Sequence, residues 1–201
     1  MKLSVQTFIT LDGVMQAPGG SDEDDEGGFD LGGWQGPLMD EETGEAIATW
    51  YRRATALLLG RRTYDIFSSY WPDAPEETQP FKSLVNDPPK YVASHTEPEF
   101  TWDDCHWIGP DAAAGVRELK ARPGGEILVP GSSDLVQTLL DADLVDELQL
   151  VTYPVVLGKG RRIFETGLNP SAWELVESSP KPGGAVASVY RFSGRPEFRD
   201  M

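Results

Sequence analysis

Short apolar runs that alternate with helical stretches leave few folds open to this chain. Leu3–Leu11 is apolar and β-branched, Ala56–Leu59 ends at Gly60, and Ile127–Val129 is a third such run. Lys90–Ser94 and Cys105–Ile108 read as further short strands, and Val145–Val156 as the longest. Between them, Asp40–Ala54 places Ala46, Ile47, Trp50 and Tyr51 at helical spacing. Arg61–Tyr70, Ala112–Ala121 and Ser132–Asp141 read as helices too; Trp71-Pro72 ends the first and Pro123-Gly124-Gly125 the second. Strand–helix alternation implies parallel strands joined by helical crossovers. Near the C-terminus, Ala172–Val176 and Val186–Phe192 flank a Lys181-Pro182-Gly183-Gly184 turn and read as an antiparallel pair. The expected architecture is a single three-layer α/β domain over residues 1–201, its mostly parallel sheet ending in a C-terminal antiparallel hairpin.

Residues 15–37 break the alternation. They are Gly-rich, acidic and aperiodic, and read as a long mobile loop, a length that compact domains usually keep for function. Charge is unevenly placed as well. Between Leu3 and Tyr51 there is no Lys or Arg, while Asp12, Asp22 to Glu26, Asp30, Asp40, Glu41, Glu42 and Glu45 all fall there. The whole chain carries 17 Lys and Arg against 33 Asp and Glu, a net charge of −16, which argues against a nucleic-acid partner. No apolar run reaches the roughly 20 residues of a membrane helix. The opening MKLSVQTFITLDG lacks the make-up of a secretory signal, so a cytoplasmic protein with no membrane partner is expected. The single cysteine, Cys105, excludes an internal disulfide and fits a reducing compartment.

Several motifs are missing. No G-x-G-x-x-G follows the first strand, and Gly158-Lys159-Gly160 is too short for a P-loop. Ser132-Ser133 is not within a G-x-S-x-G elbow. Asp22-x-Asp24-x-Glu26-Gly27 looks like the start of a calcium loop, but Gly33 stands where a bidentate Glu is needed. Cys105-His106 and His95 lack ligand spacing, so no metal is expected.

What remains is a pair of strand-to-helix junctions suited to anions. Gly60 ends a buried strand, and Arg61-Arg62-Thr63 opens a helix whose free N–H groups attract phosphate. Either arginine can grip a further phosphate through a bidentate fork, and Thr63 adds a hydroxyl. Pro130-Gly131-Ser132-Ser133 repeats the logic: Gly131 admits a ligand to the backbone, and Ser132 or Ser133 can cap the helix or donate to phosphate. Two such cradles on neighbouring strands fit a ligand with a pyrophosphate and one phosphate more, as in NADPH.

The segments Thr10-Leu11-Asp12-Gly13, Leu59 to Tyr64, Pro130-Gly131-Ser132, Val145 to Leu148 and Pro154 to Phe164 together resemble the dihydrofolate-reductase-like superfamily. More closely, they resemble stand-alone relatives of the reductase domain of bifunctional riboflavin-biosynthesis deaminase-reductases. The resemblance implies an NADPH-dependent reductase with a small-molecule substrate, working as a homodimer. It places Gly60, Arg61, Arg62 and Thr63 on the cofactor phosphates and Ser94 near the adenosine 2′-phosphate. Gly131 and Ser132 fall at the glycine-rich turn beside the pyrophosphate and nicotinamide, where Pro130-Gly131 replaces the Gly-Gly usual in dihydrofolate reductases.

Reducing a ring C=N bond needs a proton donor, commonly a buried carboxyl of raised pKa. Asp40, opening the helix after the loop, is the first candidate, with Glu41 and Glu42 as register alternatives, and Asp12 is the second. Asp40 and Asp12 each also have an ordinary reading, as an N-terminal helix acid and a turn residue respectively. Trp34, Trp50 and Tyr51 are candidates for the pocket wall. The expected substrate is a ribosylaminopyrimidine phosphate, as for 5-amino-6-(5-phosphoribosylamino)uracil reductase, its phosphate held by Arg161 with Lys159 and Arg162. Folate is the alternative, with Arg52 or Arg53 on its glutamate tail. A non-catalytic NADP-binding dimeric sensor is the alternative from another class.

Overall fold

The computed structural model describes residues 1–199. In chain order its elements are β1 (Lys2–Thr10), α1 (Glu41–Arg53), β2 (Ala54–Gly60), α2 (Arg61–Tyr70), α3 (Phe81–Asn86), β3 (Lys90–Ala93) and β4 (Cys105–Trp107). There follow α4 (Ala112–Ala121), β5 (Glu126–Pro130), α5 (Ser133–Asp141), β6 (Glu147–Tyr153), β7 (Ala172–Pro180) and β8 (Val186–Gly194). One eight-stranded sheet runs in the order β4-β3-β2-β5-β1-β6-β8-β7. The strands from β4 to β6 pair in parallel, while β8 is antiparallel to both β6 and β7.

Two-residue alternation on the central strands builds the three layers. Leu3, Val5, Leu58, Ile127 and Val129 pack against Val116 and Leu119 of α4 and Val136 and Leu139 of α5. On the other face, Leu57, Leu59, Leu128 and Val151 pack against Ile47, Trp50 and Tyr51 of α1, Tyr64 of α2 and Val85 of α3. Burial on both faces is why β2 and β5 read as unbroken apolar runs.

The long strand expected over 145–156 is shorter, Glu147–Tyr153. Pro154 has no N–H to continue the ladder, and Val155 N–H turns back to Tyr153 O at 2.8 Å. Helix α3 was not foreseen; six residues between prolines are too few to display a helical period. The N-terminal ends of the central strands are tied by ions. Glu147 meets Lys2 at 2.8 Å and Arg53 at 2.9 Å, and Arg53 also reaches Glu126 at 3.1 Å. Among the described residues, no helix is long and apolar enough to cross a membrane.

Candidate active site

A cavity of about 660 Å³ opens at the carboxyl ends of the strands. Its floor is the second half of β1 with the tips of β2, β3 and β5; its sides are the first turns of α2 and α5 and the segment Met15–Pro18. Ligand sites in parallel sheets form at such strand ends.

Two of the helices that begin at this cavity, α2 and α5, start without a side-chain cap. Gly60 precedes α2 and Ser132 precedes α5, and neither side chain caps the helix that follows. By contrast, α1 and α4 are capped by Asp40 and Asp111, whose carboxylates accept from Thr43 N–H at 2.7 Å and Ala114 N–H at 2.9 Å. An uncapped first turn leaves backbone N–H groups free for an anion. Ser132 Oγ is committed elsewhere: it accepts Gly60 N–H and donates to Pro130 O, both at 3.0 Å, and so fastens the two junctions together. Gly131 and Ser132 are both left-handed, with φ of 53° and 58°. A Cβ on Gly131 would lie 3.9 Å from Thr63 Oγ1, so the two cradles adjoin.

Gly60, Arg61, Arg62, Thr63, Ser94, Gly131, Ser132, Ser133 and Arg161 are thus brought to one cavity wall. The capping role expected of Ser132 is not its role here, for the reason just given. Ser133 is already within α5 and its Oγ turns to Asp134 at 3.4 Å. Ser94 Oγ donates to Thr96 O at 2.6 Å.

The arginines do not make a bare positive slot. Arg62 pairs with Asp24 at 2.8 Å and Glu26 at 2.5 Å, and Arg161 pairs with the same two carboxylates at 2.7 and 2.6 Å. Arg61 turns along its own helix to Asp65 at 2.9 Å. The acidic run of the 15–37 loop therefore lies directly on the basic residues of the cleft. Its backbone is anchored as well: Gln16 Nε2 donates to Asp24 O and Glu26 O, and Trp34 Nε1 donates to Gln16 O at 2.8 Å.

Five expectations are corrected here. Asp40 does not line the cavity; its carboxylate accepts the N–H groups of Thr43 and Gly183, the latter at 2.6 Å, and these hold its pKa below the ordinary value. Asp12 is also outside the lining. The Thr10 hydroxyl at 2.6 Å, helped by the N–H groups of Gly158 and Leu157, holds it well below the usual carboxylate range. Both sets of hydrogen bonds favour the charged carboxylate over a proton donor. Trp34 and Trp50 are core residues rather than pocket wall, Trp34 lying edge-on to Tyr153 at 5.7 Å. The folate-tail arginines are spent elsewhere, Arg52 on Glu45 at 2.6 Å and Arg53 at the far end of the sheet. Of the expected phosphate clamp only Arg161 lines the cleft; Lys159 pairs with Asp30, and Arg162 Nε donates to Asp12 O at 2.9 Å.

Sequence reasoning passed over Glu23 and Gln6. Glu23 lines the cavity, and burial raises its pKa although Gly19 and Gly20 N–H both donate to it. No spacing rule distinguishes it within the acidic run Asp22 to Glu26. Gln6 is a polar residue in a buried strand facing the same cavity, and that mismatch was the available signal.

The fold is an α/β domain with one mostly parallel sheet, and two uncapped helix N-termini open on its strand-end cleft. Residues 1–186 match the RibD C-terminal domain, and the chain belongs to that family. It is 28% identical over 195 residues to the uncharacterized protein YyaP of Bacillus subtilis, covering 96% of each chain. It is 26% identical to YwjB of the same organism, over 76% of this chain and 83% of that one. Among solved structures, a putative riboflavin biosynthesis protein from Shewanella sp. PV-4 superposes with a TM-score of 0.68 at 19% identity, covering 96% of this chain and 99% of that one. A pyrimidine reductase-like protein from Corynebacterium diphtheriae gives 0.65 at 13% identity, over 99% and 92%. Dihydrofolate reductase from Enterococcus faecalis, complexed with NADP(H) and RAB-propyl, gives 0.60 at 13% identity, over 95% and 96%.

Proposed function

We propose that the protein is an NADPH-dependent reductase that delivers a hydride to a pyrimidine-type ring, most like 5-amino-6-(5-phosphoribosylamino)uracil reductase. One observation carries this reading: two uncapped helix N-termini open side by side on one strand-end cavity. Membership of the RibD C-terminal domain family supports the reductase class, and the NADP(H)-bound structural neighbour supports the cofactor.

When bound, the cofactor supplies the hydride; the protein supplies position, dryness and a proton. The first turn of α5, entered through left-handed Gly131 and Ser132, cradles the pyrophosphate. Arg61, Arg62, Thr63 and the start of α2 hold the 2′-phosphate side with Ser94. Phe8 and Tyr51 wall the β1 end of the cleft and exclude water from the ring. Glu23, whose burial favours its neutral form, is the cavity carboxyl suited to store the proton. The family resemblance further proposes a homodimer, checked by sedimentation equilibrium.

The test is calorimetric titration with NADPH and NADH, followed by the fall in reduced-cofactor absorbance once a pyrimidine substrate is added. Changing Arg61 and Arg62 together to Ala should weaken NADPH by about tenfold or more, the loss of a charge-assisted contact of roughly 1.5–3 kcal/mol, while leaving NADH nearly unchanged. Equal weakening of both cofactors would refute the 2′-phosphate assignment.

A further inference from the structure

At the β1 end of the cleft one side chain lacks the partner its burial demands. Gln6 is 2% exposed and lines the cavity, and its Nε2 has no hydrogen-bond partner among the described residues. A buried amide nitrogen without an acceptor is costly, and native chains seldom keep one that nothing satisfies. The backbone at this position is fixed. Its carbonyl accepts Gly131 N–H at 3.0 Å, and β5 and β6 pair with β1 on either side. By strand alternation the Gln6 side chain is on the sheet face of Phe8, beneath the layer that includes Tyr51. Phe8 and Tyr51 line the same cavity and offer flat apolar walls to a planar ring.

We propose that the Gln6 carboxamide selects the substrate by reading a lactam edge, –C(=O)–NH–, of a neutral ring of the pyrimidinedione class. This rests on the reductase reading of the cleft and names the side chain that selects its ring. A carboxamide presents a donor beside an acceptor. Nε2–H donates to the ring carbonyl, and Oε1 accepts the ring N–H. A protonated diaminopyrimidine presents two donors instead, which suit a carboxylate. Each carboxylate on the cavity wall is engaged: Glu23 by Gly19 and Gly20, Asp24 by Arg62 and Arg161, Asp65 by Arg61, and Asp134 by Arg161 at 3.8 Å. Asp40 and Asp12 lie outside it. Gln6 is therefore the cavity-lining side chain whose buried donor has no partner among the described residues.

The experiment titrates the full chain calorimetrically with 5,6-diaminouracil and with 2,4-diaminopyrimidine in mildly acidic buffer, where the latter is protonated. The wild type should prefer the dione. Gln6→Leu and Gln6→Met should each bind the dione about tenfold more weakly, the factor that one buried hydrogen bond commands. Gln6→Glu, which replaces the donor by a second acceptor, should invert the preference. Thermal melts confirm that each variant is folded before it is titrated. Undiminished dione binding by the Leu and Met variants, an unchanged preference in the Glu variant, or a wild type that favours the diaminopyrimidine or binds neither ring would overturn the assignment. A parallel titration with NADPH separates the two readings, since a wild type that reads the dione edge yet ignores NADPH would refute the cofactor and leave Gln6 standing.

Discussion

Glu23 and Asp12 are carboxylates near one cleft whose surroundings move them in opposite directions. Burial raises Glu23, whereas the Thr10 hydroxyl and two backbone N–H groups lower Asp12. The consequences for stability have opposite signs. A carboxyl with a raised folded pKa stabilises the fold below its unfolded value of about 4.3 and loses that contribution as pH climbs through the folded value. Glu23→Gln, whose Oε1 can still accept from Gly19 and Gly20, should therefore melt higher than the wild type at neutral pH, with the gap closing in acid. A carboxyl with a lowered folded pKa stabilises the fold above about pH 3.9 and loses that as pH falls through the folded value. Asp12→Asn should thus melt lower than wild type at neutral pH, by about 4 °C, with the gap narrowing in acid. Melting curves across a pH series decide both; differences that stay constant with pH would contradict them. At this scale the sequence revealed junction chemistry better than protonation. Gly60 and Gly131 stood out because a strand tip followed by a helix start needs them. Asp12 and Asp40 each have one local partner, Thr10 and Thr43, in keeping with their ordinary readings; the partners no local pattern shows are Gly158 and Gly183, far along the chain.

Periodicity made most elements legible. Arg61–Tyr70 and Ala112–Ala121 match the helices read from spacing, because each buries one stripe and is bounded by glycine or proline signals. The 15–37 segment was legible only as an interruption. Its order comes from side chains meeting distant backbone, as when Gly160, at φ 110°, leaves room where a Cβ would sit 2.7 Å from Phe29 and Val14. Such contacts leave no period to read. The same segment sets a prediction about the cofactor. Asp24 and Glu26 are anions resting on Arg62 and Arg161, the side chains on which a phosphate of the proposed ligands would compete with them. A competitor within the chain lowers apparent affinity by the fraction of time it occupies the site. Asp24→Asn combined with Glu26→Gln should therefore tighten NADPH severalfold, with little change for NADH. Weaker NADPH binding in the calorimeter would show instead that the two carboxylates orient the arginines for the ligand.

Over the whole molecule, net charge and local charge act on the same ligand with different ranges. The protein carries −16, and the proposed cofactor is itself an anion, so the long-range field opposes their approach. The cleft offers no compensating funnel, because Arg61, Arg62 and Arg161 are each paired with carboxylates on its rim. Salt discriminates between the two ranges. The Debye length falls from about 30 Å at 0.01 M to about 8 Å at 0.15 M, which screens the distant acidic surface before it screens a direct arginine–phosphate contact. The association rate of NADPH should therefore rise severalfold over that interval. The dissociation rate should also rise, more gently, as the contacts themselves weaken. Stopped-flow fluorescence at graded salt separates the two rates. A falling association rate would mean that the arginines escape their carboxylates early enough to steer the ligand, and that the −16 of the molecule is not what an arriving cofactor meets at the cleft.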